Sequence, residues 1–259
     1  MRWIINIMIS SMIFFPDKVF YETPAQYDLT SEDVVITTED GVKIHGWFLD
    51  ADQPKGALLF LHGNAGNISG RVYKAQGWVE RGFSVFLLDY RGYGKSEGEI
   101  KHEDDIYRDA KAGFNWLRES KKFPLSKIIL YGESLGSNPA IRLGAENRVN
   151  SVVLEAPYTS FVDLAPIHYP VMPKPLSRML LKDFELSNTR HIESLKSPLF
   201  ILHGTRDETC PYAMGEELFD KAPEPKGFFS VTNGAHNDLP MTAGRDYWDK
   251  PAEFVSNRL

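Results

Sequence analysis

Short apolar runs recur along the chain, and each is bounded by residues typical of turns. Runs of this length, rich in β-branched and aromatic residues, predict buried strands. They cover residues 57–61, 83–88, 128–131, 152–154, 198–202 and 228–232. The stretches between them have helix-forming composition, most clearly the amphipathic segment 104–119. Strands that alternate with helices predict an α/β fold, in which a mostly parallel sheet carries helices on both faces.

A second pattern precedes these runs. Residues 34–37 and 42–49 alternate apolar and polar side chains around Glu39-Asp40-Gly41, which predicts a β-hairpin. A final helix is predicted at the C-terminus, where Pro251 should introduce a kink or a restart. No repeat or low-complexity segment interrupts the alternation, so residues 31–259 are predicted to form one domain.

The alternation fails between residues 157 and 197, where 41 residues contain no obvious strand. The segment leaves and rejoins the predicted sheet at its carboxyl edge, so we predict a short cap insertion there. Its proline-dense apolar run offers Met172 and Leu176 as candidate substrate-binding residues, since methionine fills irregular apolar gaps well. The alternative is that this run merely covers the helices of the domain.

Residues 1–30 lead into the domain, and residues 3–15 among them are mostly apolar. A membrane-spanning helix needs about 20 apolar residues, and no small-residue cleavage site follows this run. A short signal anchor, an interfacial segment and a helix or strand docked on the domain's own surface all fit the pattern. Membrane association through residues 3–15 and a cytoplasmic location therefore both stay open at this point.

Composition and charge exclude several classes of function. The chain is 42% hydrophobic and 25% charged, which is typical of a globular protein. A net charge of −6 without a dense Lys/Arg cluster argues against a nucleic-acid partner. The single cysteine, Cys210, excludes an internal disulfide, and no His/Asp/Glu cluster has the spacing of metal ligands. We therefore expect neither a metal nor another cofactor.

The strongest chemical motif is Gly132-Glu-Ser134-Leu-Gly136, which follows the predicted strand 128–131 and precedes a predicted helix at 140–147. Gly-x-Ser-x-Gly between a strand and a helix is typical of a nucleophile elbow, a sharp turn that presents the serine hydroxyl above the sheet. The alternative is a glycine-bordered turn with an incidental serine.

A serine hydroxyl needs a base within hydrogen-bond reach, and the base needs an acid to orient it. Asp207 follows the predicted strand 198–202, and His236 follows the predicted strand 228–232. Because the carboxyl ends of parallel strands meet at one edge, we expect Ser134, Asp207 and His236 to form a catalytic triad there. Glu155 and Glu208 are the weaker candidates for the acid.

Two backbone N–H groups are expected to form an oxyanion hole. Leu135 follows the candidate nucleophile at a helix N-terminus, where backbone N–H groups point outward. His62-Gly63-Asn64 follows the predicted strand 57–61, and the glycine allows a turn that would aim the N–H of Asn64 at the same point.

Four strings in this sequence together resemble the alpha/beta-hydrolase domain 13 branch of the α/β-hydrolase superfamily. They are His62-Gly-Asn-Ala-Gly-Asn-Ile68, Asp89-Tyr-Arg-Gly-Tyr-Gly-Lys-Ser-Glu-Gly98, Gly132-Glu-Ser-Leu-Gly136 and Gly-Ala-His236-Asn-Asp238. The resemblance spans roughly residue 34 to the C-terminus. It implies an eight-stranded sheet whose second strand is antiparallel, and an esterase-like activity. Members of this branch often carry an N-terminal membrane anchor, and the apolar run of this chain is short for one.

The sequence therefore predicts a serine hydrolase that cleaves small-molecule carboxylic esters or thioesters. The same groups could cleave an amide, so a peptidase or amidase is the alternative within the class. A non-catalytic binding protein with this fold is the alternative from a different class, since fold alone does not establish activity.

Overall fold

An eight-stranded sheet organises the computed structural model, which describes residues 2–259, with side chains from residue 6 onward. Its strands are β1 (Ser31–Thr37), β2 (Lys43–Leu49), β3 (Gly56–Leu61), β4 (Phe83–Leu88), β5 (Ile128–Glu133), β6 (Ser151–Glu155), β7 (Leu199–Gly204) and β8 (Lys226–Val231). Across the sheet the order is β8-β7-β6-β5-β3-β4-β2-β1. Strand β2 pairs antiparallel with both of its neighbours, and the other pairings are parallel. The predicted α/β-hydrolase fold, with its antiparallel second strand, is confirmed.

Helices cover both faces of this sheet. Within the described chain they are α1 (Arg2–Ile13), α2 (Val72–Val79), α3 (Glu103–Glu119), α4 (Ser137–Glu146), α5 (Phe161–His168), α6 (Lys174–Leu180), α7 (Thr189–Ile192), α8 (Tyr212–Lys221), α9 (Leu239–Ala243) and α10 (Asp246–Ser256). Side chains of α3, α4 and α8 share one apolar cluster, and those of α2 and α10 share another. Strand β3 contributes alternate residues to the two clusters, because successive side chains of a strand point to opposite faces.

The C-terminal helix breaks at a different place from the one predicted. Helix α9 ends at Ala243, Gly244 has a φ of 57°, and α10 begins at Asp246. Pro251 lies inside α10 and restarts nothing, so the expectation of a restart at this proline is wrong. The positive φ of Gly244, which L side chains rarely adopt, makes the break instead.

The segment 157–197 leaves the sheet after β6 and returns at β7, and it contains α5, α6 and α7. Helices α5 and α6 pack on each other around a small buried cluster of Val162, Ala165 and Leu181. Much of the surface of α6 is exposed, including Leu176, Met179 and Leu180.

Helix α1 lies against this segment. Ile9 and Ile13 pack on the cluster of α5 and α6, and the ring of Phe14, 4% exposed, joins the main core. Residues Phe15–Pro16 then pair as a short parallel ladder with Ala65–Gly66, in the loop after β3. Among the described residues, no helix combines the length and the apolar content needed to cross a bilayer. Part of the apolar run 3–15 is thus used to pack against the domain.

Candidate active site

The turn between β5 and α4 holds Ser134 in a strained backbone conformation. Its φ is 49°, in the left-handed region that costs a non-glycine residue about 1–2 kcal/mol. The turn closes because its glycines lack side chains. A Cβ on Gly136 would lie 2.0 Å from the carbonyl oxygen of Leu61, and one on Gly132 would lie 2.6 Å from the carbonyl oxygen of Gly136. Strand, turn and helix can approach this closely only with glycine at both positions.

The three residues of the predicted triad lie together at the carboxyl edge of the sheet. His236 Nε2 lies 3.1 Å from Ser134 Oγ, and His236 Nδ1 lies 2.7 Å from Asp207 Oδ2. Each side chain stands after a different strand, β5, β7 or β8. In this arrangement the imidazole can take a proton from the hydroxyl while the carboxylate orients the ring.

Asp207 sits in a pocket that favours its charged form. Its Oδ1 accepts hydrogen bonds from the backbone N–H groups of Thr209, at 2.9 Å, and Cys210, at 2.8 Å. Burial opposes ionisation, but the hydrogen bonds from His203 and His236 outweigh it and hold the pKa of Asp207 well below its ordinary value. The carboxylate is therefore charged and fixed in orientation at neutral pH.

His203 is a member of this site that sequence reasoning missed. Its ring is fully buried, and its Nε2 lies 2.8 Å from the Cys210 carbonyl oxygen and 3.3 Å from Asp207 Oδ2. One N–H can therefore serve both oxygens and hold the acid loop closed. The only available signal was its position at the end of the predicted strand 198–202, ahead of a glycine.

The loop after β3 carries Asn64, one of the two predicted oxyanion donors. The hydroxyl of Tyr93 donates to the Asn64 carbonyl oxygen at 2.8 Å and to its Oδ1 at 3.0 Å. The other predicted donor, Leu135, follows Ser134 as the second residue of the 3₁₀ turn 134–136. The first N–H groups of such a turn have no partner within it and are available to an anion.

A buried cluster of charged side chains lies next to the elbow. Glu133, adjacent to Ser134, binds Arg71 Nη2 at 2.9 Å and Lys74 Nζ at 3.0 Å. Lys74 Nζ also binds Glu155 at 2.9 Å, and the hydroxyls of Tyr131 and Tyr247 each donate to Glu155 at 2.7 Å. Burial disfavours a charged Glu133, but Arg71 and Lys74 keep its pKa far below the ordinary value.

The three candidate acids, Asp207, Glu155 and Glu208, differ in their contacts. Both oxygens of Glu155 are bound by Lys74 and the two tyrosines, and Glu208 is exposed on the surface. Asp207 is the carboxylate in contact with His236.

The two candidate substrate-binding residues occupy different environments. Met172 is half-buried against the cluster of α5 and α6, beside Ile9 and Ile13 of α1. Leu176 is 39% exposed on α6, and Val171 next to Met172 is 96% exposed. Of these three, Met172 is the one packed among apolar side chains. Among the described residues, no group of three or more His, Cys, Asp or Glu side chains could hold a metal ion.

Comparison with known proteins agrees with this fold. A family model described as serine aminopeptidase S33 (Hydrolase_4) matches residues 52–188. Protein Rv2307c of Mycobacterium tuberculosis is 32% identical over 95% of this chain and 86% of its own length. The alpha/beta hydrolase domain-containing protein WAV2 of Arabidopsis thaliana is 30% identical over 92% of this chain and 82% of its own.

A solved structure with the same fold is that of an esterase from Pyrococcus furiosus. It has a TM-score of 0.78 at 24% identity, with 95% of this chain and 98% of that chain covered. Family model, sequence relatives and fold agree: the chain belongs to the serine aminopeptidase S33 (Hydrolase_4) family of the α/β-hydrolase superfamily, and it is a hydrolase.

Proposed function

We propose that this hydrolase cleaves carboxylic esters or thioesters through an acyl-enzyme on Ser134. The observation that carries the proposal is the continuous set of contacts from Ser134 Oγ through His236 to Asp207, at 3.1 and 2.7 Å. Contacts of this length put a base within reach of the hydroxyl and an acid within reach of the base.

In the first half-reaction Ser134 Oγ attacks the acyl carbon while its proton passes to His236 Nε2. The charge of Asp207 stabilises the imidazolium that forms. The N–H groups of Asn64 and Leu135 bind the developing oxyanion. When the tetrahedral intermediate collapses, the bond to the alcohol or thiol breaks, and the leaving group takes the proton from His236.

The second half-reaction uses the same groups with water. His236 removes a proton from the water as it attacks the acyl carbon of the ester on Ser134. Collapse of the second intermediate releases the carboxylic acid and returns the proton to Ser134 Oγ. Both half-reactions use only the substrate, water and these side chains.

Amide cleavage is the alternative within this family, whose description names an aminopeptidase. An aminopeptidase site needs a free acidic group to bind the α-amine of its substrate. The carboxylates that end β5 and β6, Glu133 and Glu155, are each ion-paired with Lys74. Neither of these two carboxylates is free to bind an amine.

We propose that the acyl chain is bound by the apolar side chains around Met172. Their place beside α5 and α1, next to the candidate oxyanion loop, supports this assignment.

Association of the N-terminus with a membrane surface is also proposed, because Met8 and Met12 in the run 3–15 are more than 60% exposed on α1.

The first test of the proposed function is Ser134→Ala. Labelling by a fluorophosphonate probe and hydrolysis of p-nitrophenyl esters should both be lost, while the circular dichroism spectrum stays that of a folded protein. Ser137→Ala is the matched control, since Ser137 is buried nearby and its Oγ accepts a hydrogen bond from Asn188 at 2.7 Å. Undiminished labelling of Ser134→Ala would exclude this serine as the nucleophile.

The role of the acid is tested in the same assay. Asp207→Asn should lower kcat by several orders of magnitude, because an amide favours the wrong tautomer of His236. Glu208→Gln changes the adjacent exposed residue and should have little effect. Equal losses in the two variants would contradict the assignment of Asp207.

A further inference from the structure

The loop after β3 is bound by a segment far away in sequence, residues 13–19, called here the N-terminal strap. Phe15–Pro16 pairs in parallel with Ala65–Gly66, and the N–H of Asp17 donates to the Gly66 carbonyl oxygen at 3.0 Å. The side-chain amide of Asn64 donates to the carbonyl oxygen of Ile13 at 2.6 Å. The strap is therefore hydrogen-bonded to the loop at Asn64 and again at Gly66.

Tyr93 also contacts Asn64 and the strap. Its hydroxyl donates to the backbone and side-chain oxygens of Asn64, and its ring is fully buried against His62. Burial raises the pKa of Tyr93, and a backbone hydrogen bond from Phe15 partly opposes that rise. One hydroxyl thus contacts Asn64 and Phe15 together.

The strap is itself held in place by several contacts. Phe14 is 4% exposed, with its ring packed edge-on to Phe184 at 5.8 Å between centroids. Asn67, at the end of the loop, donates from Nδ2 to the carbonyl oxygens of Asp17 at 3.1 Å and Val19 at 2.7 Å. Lys18 Nζ donates to the Ser96 carbonyl oxygen at 2.9 Å. These contacts make the strap a fixed support.

We infer that the N-terminal strap and Tyr93 position the backbone N–H of Asn64 for oxyanion binding. This inference rests on the proposed function. Tyr93 and Ile13 are positioning residues: they act through Asn64 and touch no reacting atom. The sequence alone had assigned no catalytic role to residues 1–30, so the inference gives the N-terminus a part in the reaction.

The inference predicts a selective effect on the transition state. An oxyanion donor contributes only when charge develops on the carbonyl oxygen, so its misplacement lowers kcat and leaves KM nearly unchanged. A displacement of about 1 Å in such a site costs on the order of 10²-fold. Tyr93→Phe keeps the ring and removes the hydroxyl, so kcat should fall by about 10- to 100-fold.

Two further variants make the test specific. Asn64→Ala keeps the backbone N–H and the carbonyl contact to Tyr93 but loses both side-chain contacts, to Ile13 and to Tyr93, so its kcat should also fall. Tyr27→Phe is the matched control, since it removes a tyrosine hydroxyl that donates to Glu22 at 2.8 Å, outside the oxyanion loop. Its kcat should stay within about twofold of the wild-type value.

Two readouts separate positioning from loss of stability. An ester should lose more activity than the corresponding thionoester, because sulfur is a larger and poorer acceptor that gains less from an ordered oxyanion hole. Amide hydrogen exchange of Ala65 and Gly66, which pair with the strap, should quicken in Tyr93→Phe and stay unchanged in Tyr27→Phe. The exchange measurement does not depend on activity, so it tests the strap even if Ser134→Ala shows that the proposed function is wrong.

The outcomes are distinct. A kcat for Tyr93→Phe and Asn64→Ala that equals the wild-type value, with unchanged exchange in the loop, would overturn the inference. Loss of activity in Ser134→Ala with no effect in these two variants would leave the proposed function intact and refute the role of the strap. If Tyr93→Phe fails to fold, Asn64→Ala decides the question by the same readouts.

Discussion

Lys74 is the centre of the buried charge cluster behind the elbow, and replacing it tests what that cluster contributes. Its Nζ lies 3.0 Å from Glu133 Oε2 and 2.9 Å from Glu155 Oε1, and the residue is 5% exposed. Lys74→Met keeps most of the length of the side chain and removes the charge. Two buried carboxylates then lose their shared cation.

The expected cost follows from what each carboxylate retains. Removing one partner of a buried ion pair typically costs about 3–5 kcal/mol. Glu133 keeps Arg71 at 2.9 Å, and Glu155 keeps two tyrosine hydroxyls at 2.7 Å, so we expect the lower end, about 3 kcal/mol. For a chain of this size each kcal/mol lowers Tm by roughly 2–4 °C, which gives a fall of roughly 6–12 °C.

Differential scanning calorimetry at pH 7 measures this shift. Lys111→Met is the matched control, because Lys111 Nζ binds Glu39 at 3.0 Å with both side chains about half exposed. Exposed pairs of this kind contribute about 0–1 kcal/mol, so Tm of the control should change by less than about 4 °C. Equal shifts in the two variants would refute the reasoning that burial makes this cluster important.

The pH dependence gives a second check with a definite sign. Arg71 and Lys74 hold the pKa of folded Glu133 below the value of an unfolded glutamate, about 4.5. The unfolded chain therefore binds more protons below pH 4.5, and the stabilisation is present above that pH and lost as the pH falls. The difference in stability between wild type and Lys74→Met should narrow below about pH 4.5. A difference that stays constant from pH 7 to pH 3 would contradict this account.

Two predictions concern substrate and surface. Replacing Met172 and Leu176 by Ala should flatten the preference for short to medium acyl chains in a series of p-nitrophenyl esters. Each buried CH₂ contributes about 0.8 kcal/mol, so the wild-type kcat/KM should rise by one or two decades over a few carbons. An unchanged profile in the double variant would mean that the run covers helices only. Replacing exposed Met8 and Met12 by Gln should reduce co-flotation with phosphatidylcholine–phosphatidylglycerol vesicles several-fold, with ester hydrolysis in solution retained. Wild-type protein that does not float would exclude membrane association through α1.

The sequence was most informative where the chemistry depends on chain order. Each of Ser134, Asp207 and His236 follows an apolar run, and parallel strands bring the ends of such runs to one edge. The distances among these side chains then follow from the topology. The buried strands were predictable because each is a continuous apolar run, although several of their ends lie one or two residues from the predicted ones.

What the sequence did not show are contacts between distant segments. Asn64 and Ile13 are 51 residues apart, and Glu133 and Lys74 are 59 apart, so no local pattern relates them. His203 has no motif of its own, and its role is visible only once Asp207 folds back on it. The inward-facing side chains of the cap were hard to predict for another reason. A proline-rich run has no periodicity to indicate which side chains face inward, so an apolar residue such as Val171 can lie exposed.

The position of Cys210 affects how inactivation of this hydrolase by thiol reagents should be interpreted. Its Sγ lies 4.0 Å from Ser134 Oγ, and burial raises the pKa of the thiol, so the thiolate is scarce at neutral pH. Ordinary alkylating reagents should react slowly. A reagent that does reach the sulfur would fill the space beside the serine and abolish turnover. Inactivation by a thiol reagent would then report steric obstruction of the site, and it would not identify a cysteine nucleophile.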